Sequence, residues 1–411
     1  MKYLRTKCII AALFLVFVFF FSNDFGLIDI EKTAIITAIA IDLADDEYEV
    51  TAQIAVPEAT DNNSENKKAQ ISGRGGTIGA AIKNIGDISG WYPNMQFCNL
   101  LIVGNELTDI NVIRVLDYFS KTLRVQDSAL VITTDKKAKD LLDVSTPLDN
   151  ISSFALQKIL FKNPGFDNDV AETDIKTFCM NYYSESQSSY MPLVKIEKQD
   201  TKTSPDSGSS GGGNGGGASG GSGGGSGNSG TGGFNSDGNS LFVATTTALF
   251  YKGVKVGELN ENETLAFDAL TKNFRGTTVE LNDVYVGGET RNFLITVFRC
   301  TPKVKLKATA EELKLTVDLS VYCKIVDQNA ERSDLTYSKN VPLPEAVKEK
   351  ADEFFINNLN ALIEKEKQTK CDFLFLKRKL YQYNYPFYAQ YKDNYLSVLK
   401  TEINVSVTGQ K

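Results

Sequence analysis

The sequence predicts an α+β protein in which an N-terminal membrane anchor precedes two mixed α/β-sheet regions, two to three domains in all, separated by a Gly/Ser-rich linker. Three observations carry that expectation. Lys2, Arg5 and Lys7 run into an unbroken apolar stretch from Cys8 to Phe21. Between Ser207 and Asn239 the chain is almost wholly Gly and Ser, holding more than half of its 32 glycines. On either side, short β-branched runs alternate with segments of helical periodicity.

The leader, residues 1–26, reads as a signal or anchor, because a basic flank held on the cytoplasmic side delivers the rest of the chain to the outer face of the bilayer. Its apolar run makes about 21 Å of helix against a hydrocarbon core of about 30 Å. That length suits a signal h-region. Ser22 is followed by Asn23, Asp24 and Phe25, which offer no pair of small side chains for a signal peptidase. An uncleaved anchor is therefore expected, with Lys7 snorkelling to shorten the mismatch.

Region 27–200 begins with Ala34 to Leu43 and Tyr48 to Val56, apolar runs parted by Ala44, Asp45, Asp46 and Glu47, a hairpin pattern. The acidic cluster of Asp42, Asp45, Asp46 and Glu47 lacks the spacing of a calcium loop and reads as a solvated tip. Gly73, Gly75, Gly76 and Gly79 lead into a helix capped by Thr77, with Ile78, Ala81, Ile82 and Ile85 at helical spacing. No Lys-Ser/Thr follows, so the glycines read as a turn and not as a phosphate cradle. Leu100 to Val103 predicts a buried strand, Val112 to Phe119 a helix, Ala129 to Thr133 a strand and Lys137 to Leu142 a third helix. Strands alternating with helices imply a mixed sheet covered on one face. Trp91, the only tryptophan, reads as a local anchor beside Tyr92 and Pro93.

Segment 201–239 has nothing to form a core, and reads as a flexible coil about 30 Å end to end. Region 240–411 opens with Leu241 to Phe250, turns at Lys252 and Gly253, and returns through Val254 to Leu259. Farther on, Val304, Leu306 and Ala308 alternate on one arm, and Leu313, Leu315, Val317, Leu319 and Val321 on the other. A two-residue turn at Glu311 and Glu312 sets the two arms face to face and puts Cys300 opposite Cys323, as a disulfide or as two facing thiols. After Pro344, Val347, Ala351, Phe354, Phe355, Leu359 and Leu362 trace one face of a long helix, and Glu364 to Lys370 reads as its solvated end. Tyr381, Tyr383, Tyr385, Phe387, Tyr388, Tyr391 and Tyr395 either pack over a sheet edge or present an interaction surface, with Tyr383, Tyr385, Phe387 and Tyr388 as the candidates. Ile403, Val405 and Val407 end the chain as an alternating strand.

Composition removes most chemistry. With no histidine among 411 residues, the commonest general base and zinc ligand are missing, as is every Ser/His/Asp or Cys/His arrangement. Cys8, Cys98, Cys179, Cys300, Cys323 and Cys371 fall at no metal-knuckle spacing. A net charge of -7 argues against nucleic acid as a partner. No cofactor motif is present, so no catalytic, cofactor-binding or metal residue is assigned. A carboxylate-dependent glycosidase needs an acid pair that the sequence does not place.

The order of segments resembles the C subunits of spore germinant receptors, the GerAC-type or Ger(x)C family. The likeness starts at Ile30-Glu31-Lys32 and Ala38 to Asp42, and runs through Val50 to Ile54, Pro57, and Gly76-Thr77-Ile78 with Ala80-Ala81. Leu101 to Leu107, Val115 to Phe119, Ala138 to Leu142 and Tyr190 to Val194 keep the same succession. Beyond the linker it continues in Ala248-Leu249-Phe250, Val256 to Leu259, Cys371 to Leu374 and Tyr385-Pro386. The family's lipobox cysteine has no counterpart, since no cysteine follows the apolar run before Cys98; an uncleaved helix takes the lipid's place. The Gly/Ser linker is unusually long for the family. The resemblance implies a non-catalytic, extracytoplasmic subunit on the spore inner membrane, working through contacts with integral-membrane A and B subunits. From the residues alone, the alternative is a membrane-anchored solute-binding or adhesive surface protein using the aromatic cluster near Tyr385.

Overall fold

A computed structural model describes residues 7, 10–14, 33–55, 69–122, 124–147, 149, 151–161, 170–198, 240–271, 274, 276–329 and 343–409. The anchor expected at 1–26 lies outside them apart from 7 and 10–14, which are helical and exposed. Among the described residues no helix is long and apolar enough to cross a membrane.

The protein is mixed α/β and is built on two sheets. The first opens with a hairpin, β1 (Thr33–Ala44) and β2 (Glu47–Ile54). Asp45 and Asp46 join them at φ 52° and 65°, as a type I′ turn requires. β3 (Ala69–Gly75) follows, then α1 (Ile78–Ser89), with Thr77 accepting from the Ala80 N–H as its cap. Gly73 and Gly75 are strand residues and not turn residues: a Cβ on either would come within 2.3 and 2.7 Å of the Ala81 backbone. Their missing side chains let α1 lie directly on the sheet.

Next come β4 (Tyr92–Asn94), β5 (Leu100–Val103), α2 (Asn105–Thr108), α3 (Ile113–Thr122), β6 (Leu130–Thr134), α4 (Ala138–Asp143), α5 (Ser152–Leu160), α6 (Ile175–Tyr182) and β7 (Ser188–Lys198). Strands β1, β5, β6 and β7 run parallel. Every residue of β5 and β6 is buried, the mark of strands covered on both faces. Ile39, Ile41, Leu101 and Val103 pack with α1, α3 and α6 on one face. Ala38, Ala40, Leu100 and Ile102 pack with α4 and α5 on the other. The expected single covered face is thus corrected to two.

Strand pairing also crosses the Gly/Ser stretch. β8 (Ser240–Tyr251) pairs antiparallel with β7, Lys198 opposite Ser240, and β9 (Val254–Leu259) pairs with β8. They complete a nine-stranded sheet ordered β3-β2-β1-β5-β6-β7-β8-β9, with β4 on the start of β1. The stretch expected to separate two regions, 201–239, lies outside the described residues. Its flanks are partners in one hairpin, so the first sheet takes strands from both sides of it.

α7 (Glu261–Ala269) leads to the second sheet, β10 (Thr277–Val286), β11 (Glu289–Ala308), β12 (Leu313–Gln328) and, parallel to β12, β13 (Leu399–Gly409). Between β12 and β13 lie α8 (Glu345–Thr369), α9 (Leu376–Tyr383), α10 (Tyr385–Tyr391) and α11 (Tyr395–Val398). Val347, Ala351, Phe355, Leu359 and Leu362 of α8 share one core with Leu315, Val317, Leu319 and Val321 of β12.

The β11–β12 register differs from the expected one by two residues. Val304 faces Val317 and Leu306 faces Leu315, while Cys300 faces Val321 and Cys323 faces Val297. Thr309 closes a four-residue turn: its N–H donates to the Glu312 carbonyl and its Oγ1 accepts from the Glu312 N–H. Side chains alternate with a period of two, so a slip of two keeps every apolar residue on its face. Alternation alone cannot choose between those registers; the Thr309 turn does.

Candidate interaction surfaces and the seam between the sheets

Both cysteines of the candidate pair are free thiols. Burial pushes the Cys300 thiol up, and burial with the nearby Asp352 charge pushes Cys323 up to about 11. Neither is poised as a nucleophile, since the thiolate is the reactive form. No group of three His, Cys, Asp or Glu residues among those described is placed to hold a metal.

The tyrosine-rich segment divides. Asn384 clamps it to the end of β11, its Nδ2 donating to the Leu306 carbonyl and its Oδ1 accepting from the Ala308 N–H. The Tyr391 hydroxyl donates to the Thr309 carbonyl at 2.7 Å. Tyr391 and Tyr395 are buried, and Phe387 and Tyr388 are half-buried against the second core. Tyr383 and Tyr385 remain 78% and 63% exposed. Tyr381 meets Tyr385 edge-on at 5.4 Å and Tyr388 at 5.2 Å, leaving a three-ring surface on one side of α9 and α10. Of the four candidates, two reach solvent freely and two hold the segment down.

The two sheets meet at a seam that the sequence did not announce. Asp372 is fully buried and receives the Ser186 hydroxyl at 2.6 Å and the backbone N–H groups of Leu376 and Lys377 at 2.6 and 2.8 Å. Its own N–H donates to Ser188 Oγ at 2.9 Å. One carboxylate therefore caps α9 of the second unit and holds the strand entry of β7 in the first. The Cys371 thiol donates to the Phe250 carbonyl of β8, and rings cross in a ladder from Tyr190 to Phe267 to Phe373.

Beside Asp372 lies Glu366, also fully buried. Burial first and the Asp372 charge second push its carboxyl well above the usual range, against the Leu374 N–H donating to it. Two adjacent buried carboxylates resist ionising together, so Glu366 keeps its proton to higher pH than a free carboxyl. Reading Glu364 to Lys370 as a solvated end missed this residue. The signal was present, since Glu366 is four residues beyond Leu362 on the apolar face of α8.

Asp42, expected at a solvated tip, is also buried. Its carboxylate accepts from the N–H groups of Ala138 and Lys139 at 2.7 and 2.9 Å and so caps α4. Burial raises its pKa and those two bonds oppose the rise. A Cβ at Gly104 would lie 2.1 Å from Asp42 Oδ1, so glycine makes room for the cap. A cleft of about 600 Å³ opens at the seam, lined by Lys367, Lys370, Lys377 and Lys392 against the two acids Glu185 and Asp393.

Two family models match the chain. Residues 27–196 match the model of the spore germination protein N-terminal domain, and residues 245–410 match that of the spore germination B3/GerAC-like C-terminal domain. A solved structure described as the crystal structure of the GerBC protein is similar at 13% identity and a TM-score of 0.48, over 91% of this chain and 97% of that one. No curated protein matches. Two models of one family, met in order and interrupted only around the Gly/Ser stretch, account for most of the sequence, and the chain belongs to the GerAC family of spore germination proteins.

Proposed function

We propose that this chain is a non-enzymatic, extracytoplasmic subunit of a spore germinant receptor, tethered by its leader to the outer face of the spore inner membrane and touching integral-membrane A and B subunits. The ordered match to both family domains carries this reading. The seam supports it, because a unit locked to its neighbour by Asp372 passes a displacement at one sheet to the other. Tyr383 and Tyr385 are the residues offered to a partner: large, exposed rings with polar tips, of the kind enriched at protein interfaces.

Deleting the gene in the native spore-former tests the proposal. Germination with particular nutrients should stop while viability stays intact. Spores that still germinate with every effective nutrient, in a strain freed of paralogues, would overturn it.

The lysine-lined cleft at the seam favours a second reading, a surface module binding an anionic solute. Calorimetry of the whole chain with amino acids, sugars and organic acids separates the two readings. Micromolar affinity without partner subunits supports the solute-binding module, and no heat of binding supports the subunit.

A further inference from the structure

β1, β5 and β6 run parallel, so their starting ends lie together at one end of the first sheet. The chain arrives at this end from the apolar leader. β4 pairs with the first residues of β1, Tyr92 opposite Thr33, which puts Trp91 beside the point of entry. Ile88 at the end of α1 is 64% exposed, Trp91 47%, Tyr92 41%, and Phe97 in the turn before β5 56%. Lys83 and Arg124 share a cleft of about 780 Å³ with Trp91, Tyr92 and Asp87, whose carboxylate lies 3.8 Å from Lys83 Nζ and leaves Arg124, among the described residues, as the cation without an acid partner in the cleft. Single exposed apolar side chains are ordinary on a protein surface. Here four large ones gather at the end where the chain arrives, with cationic side chains beside them.

Residues 22–32 connect the apolar run to β1, and at full extension they reach about 40 Å. The leader therefore keeps this end of the sheet within one short tether of the bilayer, where local concentration favours even a weak contact. Trp and Tyr prefer the headgroup level, with rings among acyl carbonyls and polar tips in water, and Lys and Arg there meet lipid phosphates. The opposite end of the sheet is where the chain leaves at Lys198 and returns at Ser240. That excursion of 199–239 does not start or finish at the aromatic end.

We propose that the end of the first sheet formed by Ile88, Trp91, Tyr92 and Phe97, with Lys83 and Arg124 beside it, seats on the lipid headgroup interface and so fixes which way the tethered protein stands. This rests on the tethering in the proposed function and goes beyond it, since a tether alone sets no orientation.

Trp91 is the chain's only tryptophan, so its emission reports this surface alone. The experiment uses the full chain reconstituted into vesicles of phosphatidylcholine and phosphatidylglycerol, with and without bromine on the upper acyl carbons. The chain should float with the vesicles, and Trp91 should shift to the blue, lose emission to the brominated lipid and resist acrylamide. The double substitution Ile88→Asp with Tyr92→Asp should abolish the quenching while flotation and the thermal melt stay unchanged. A chain that floats but keeps Trp91 unquenched and open to acrylamide overturns the seating and leaves the tether standing. Protection from acrylamide without quenching by bromine means that protein covers the face, and also overturns it. A chain that does not float ends both readings.

Discussion

The two sheets solve the same burial problem in opposite ways. In the first, β5 and β6 are buried at every residue, β5 as an unbroken apolar run and β6 as three apolar residues followed by Thr133 and Thr134, because helices cover both faces. In the second, β12 alternates strictly, buried at Leu313, Leu315, Val317, Leu319 and Val321 and more open between them, because α8 covers one face only. A continuous run therefore fixes which residues lie inside but leaves open how many layers enclose them. Alternation fixes the face but leaves the register free by steps of two.

Core truncation should separate the sheets most sharply. Ile102→Ala in β5 should cost about 2–5 kcal/mol, since its neighbours on α4 and α5 cannot close the cavity, whereas Thr316→Ala on the open face of β12 should stay within about 0.5 kcal/mol. Chemical denaturation of both variants measures the contrast; equal losses would show that the open face is covered.

Cutting the seam comes next. Asp372→Ala leaves the Ser186 hydroxyl and two helix N–H groups without their acceptor, a loss of about 3 kcal/mol, and calorimetry should then resolve two unfolding transitions where the parent gives one. A single transition in the variant would mean that the ring ladder and the remaining bonds from Cys371 and the residue 372 N–H couple the sheets without the carboxylate. Replacing 199–239 by Asn-Gly should raise stability by about 2 kcal/mol through a shorter loop to close, because Lys198 and Ser240 already face each other. Loss of folding in that variant would mean that 199–239 serves as a spacer between separate domains.

The smallest effect is one of pH. Glu366 holds its proton more tightly folded than unfolded, so the folded state binds the extra proton and stability falls as pH rises from the ordinary carboxyl value of 4.5 through the raised folded value. Glu366→Gln should flatten that decline, with little change below pH 4.5. A variant with the parent's profile would place the proton elsewhere.

Much of the fold was legible where one local signal sufficed. Thr77 announced its cap, Lys252 and Gly253 their turn, and Leu100 to Val103 their buried strand. β3 escaped because Ala69 to Gly75 is rich in small and polar residues and gains its place only from β2 and the helix lying on it. That the first sheet draws strands from both sides of the Gly/Ser run was not legible, because such a run reads alike whether it joins two domains or two strands; the pairing of Lys198 with Ser240 supplies it. At the surfaces, tyrosine spacing located the segment but not which rings were exposed, since Asn384 and the Thr309 turn decide how it lies. Asp42 and Asp372 look like ordinary acids until the donors they serve are brought to them, the Ala138 N–H from 96 residues away and the Ser186 hydroxyl from 186.

Because Lys198 and Ser240 stand side by side at the rim of the sheet, the chain carries a built-in splice site. A fluorescent domain whose own ends lie close together can be grafted there without disturbing strand register, at the end of the sheet remote from Trp91. Such a graft would let the position of this protein be followed through the whole course of awakening in a living spore.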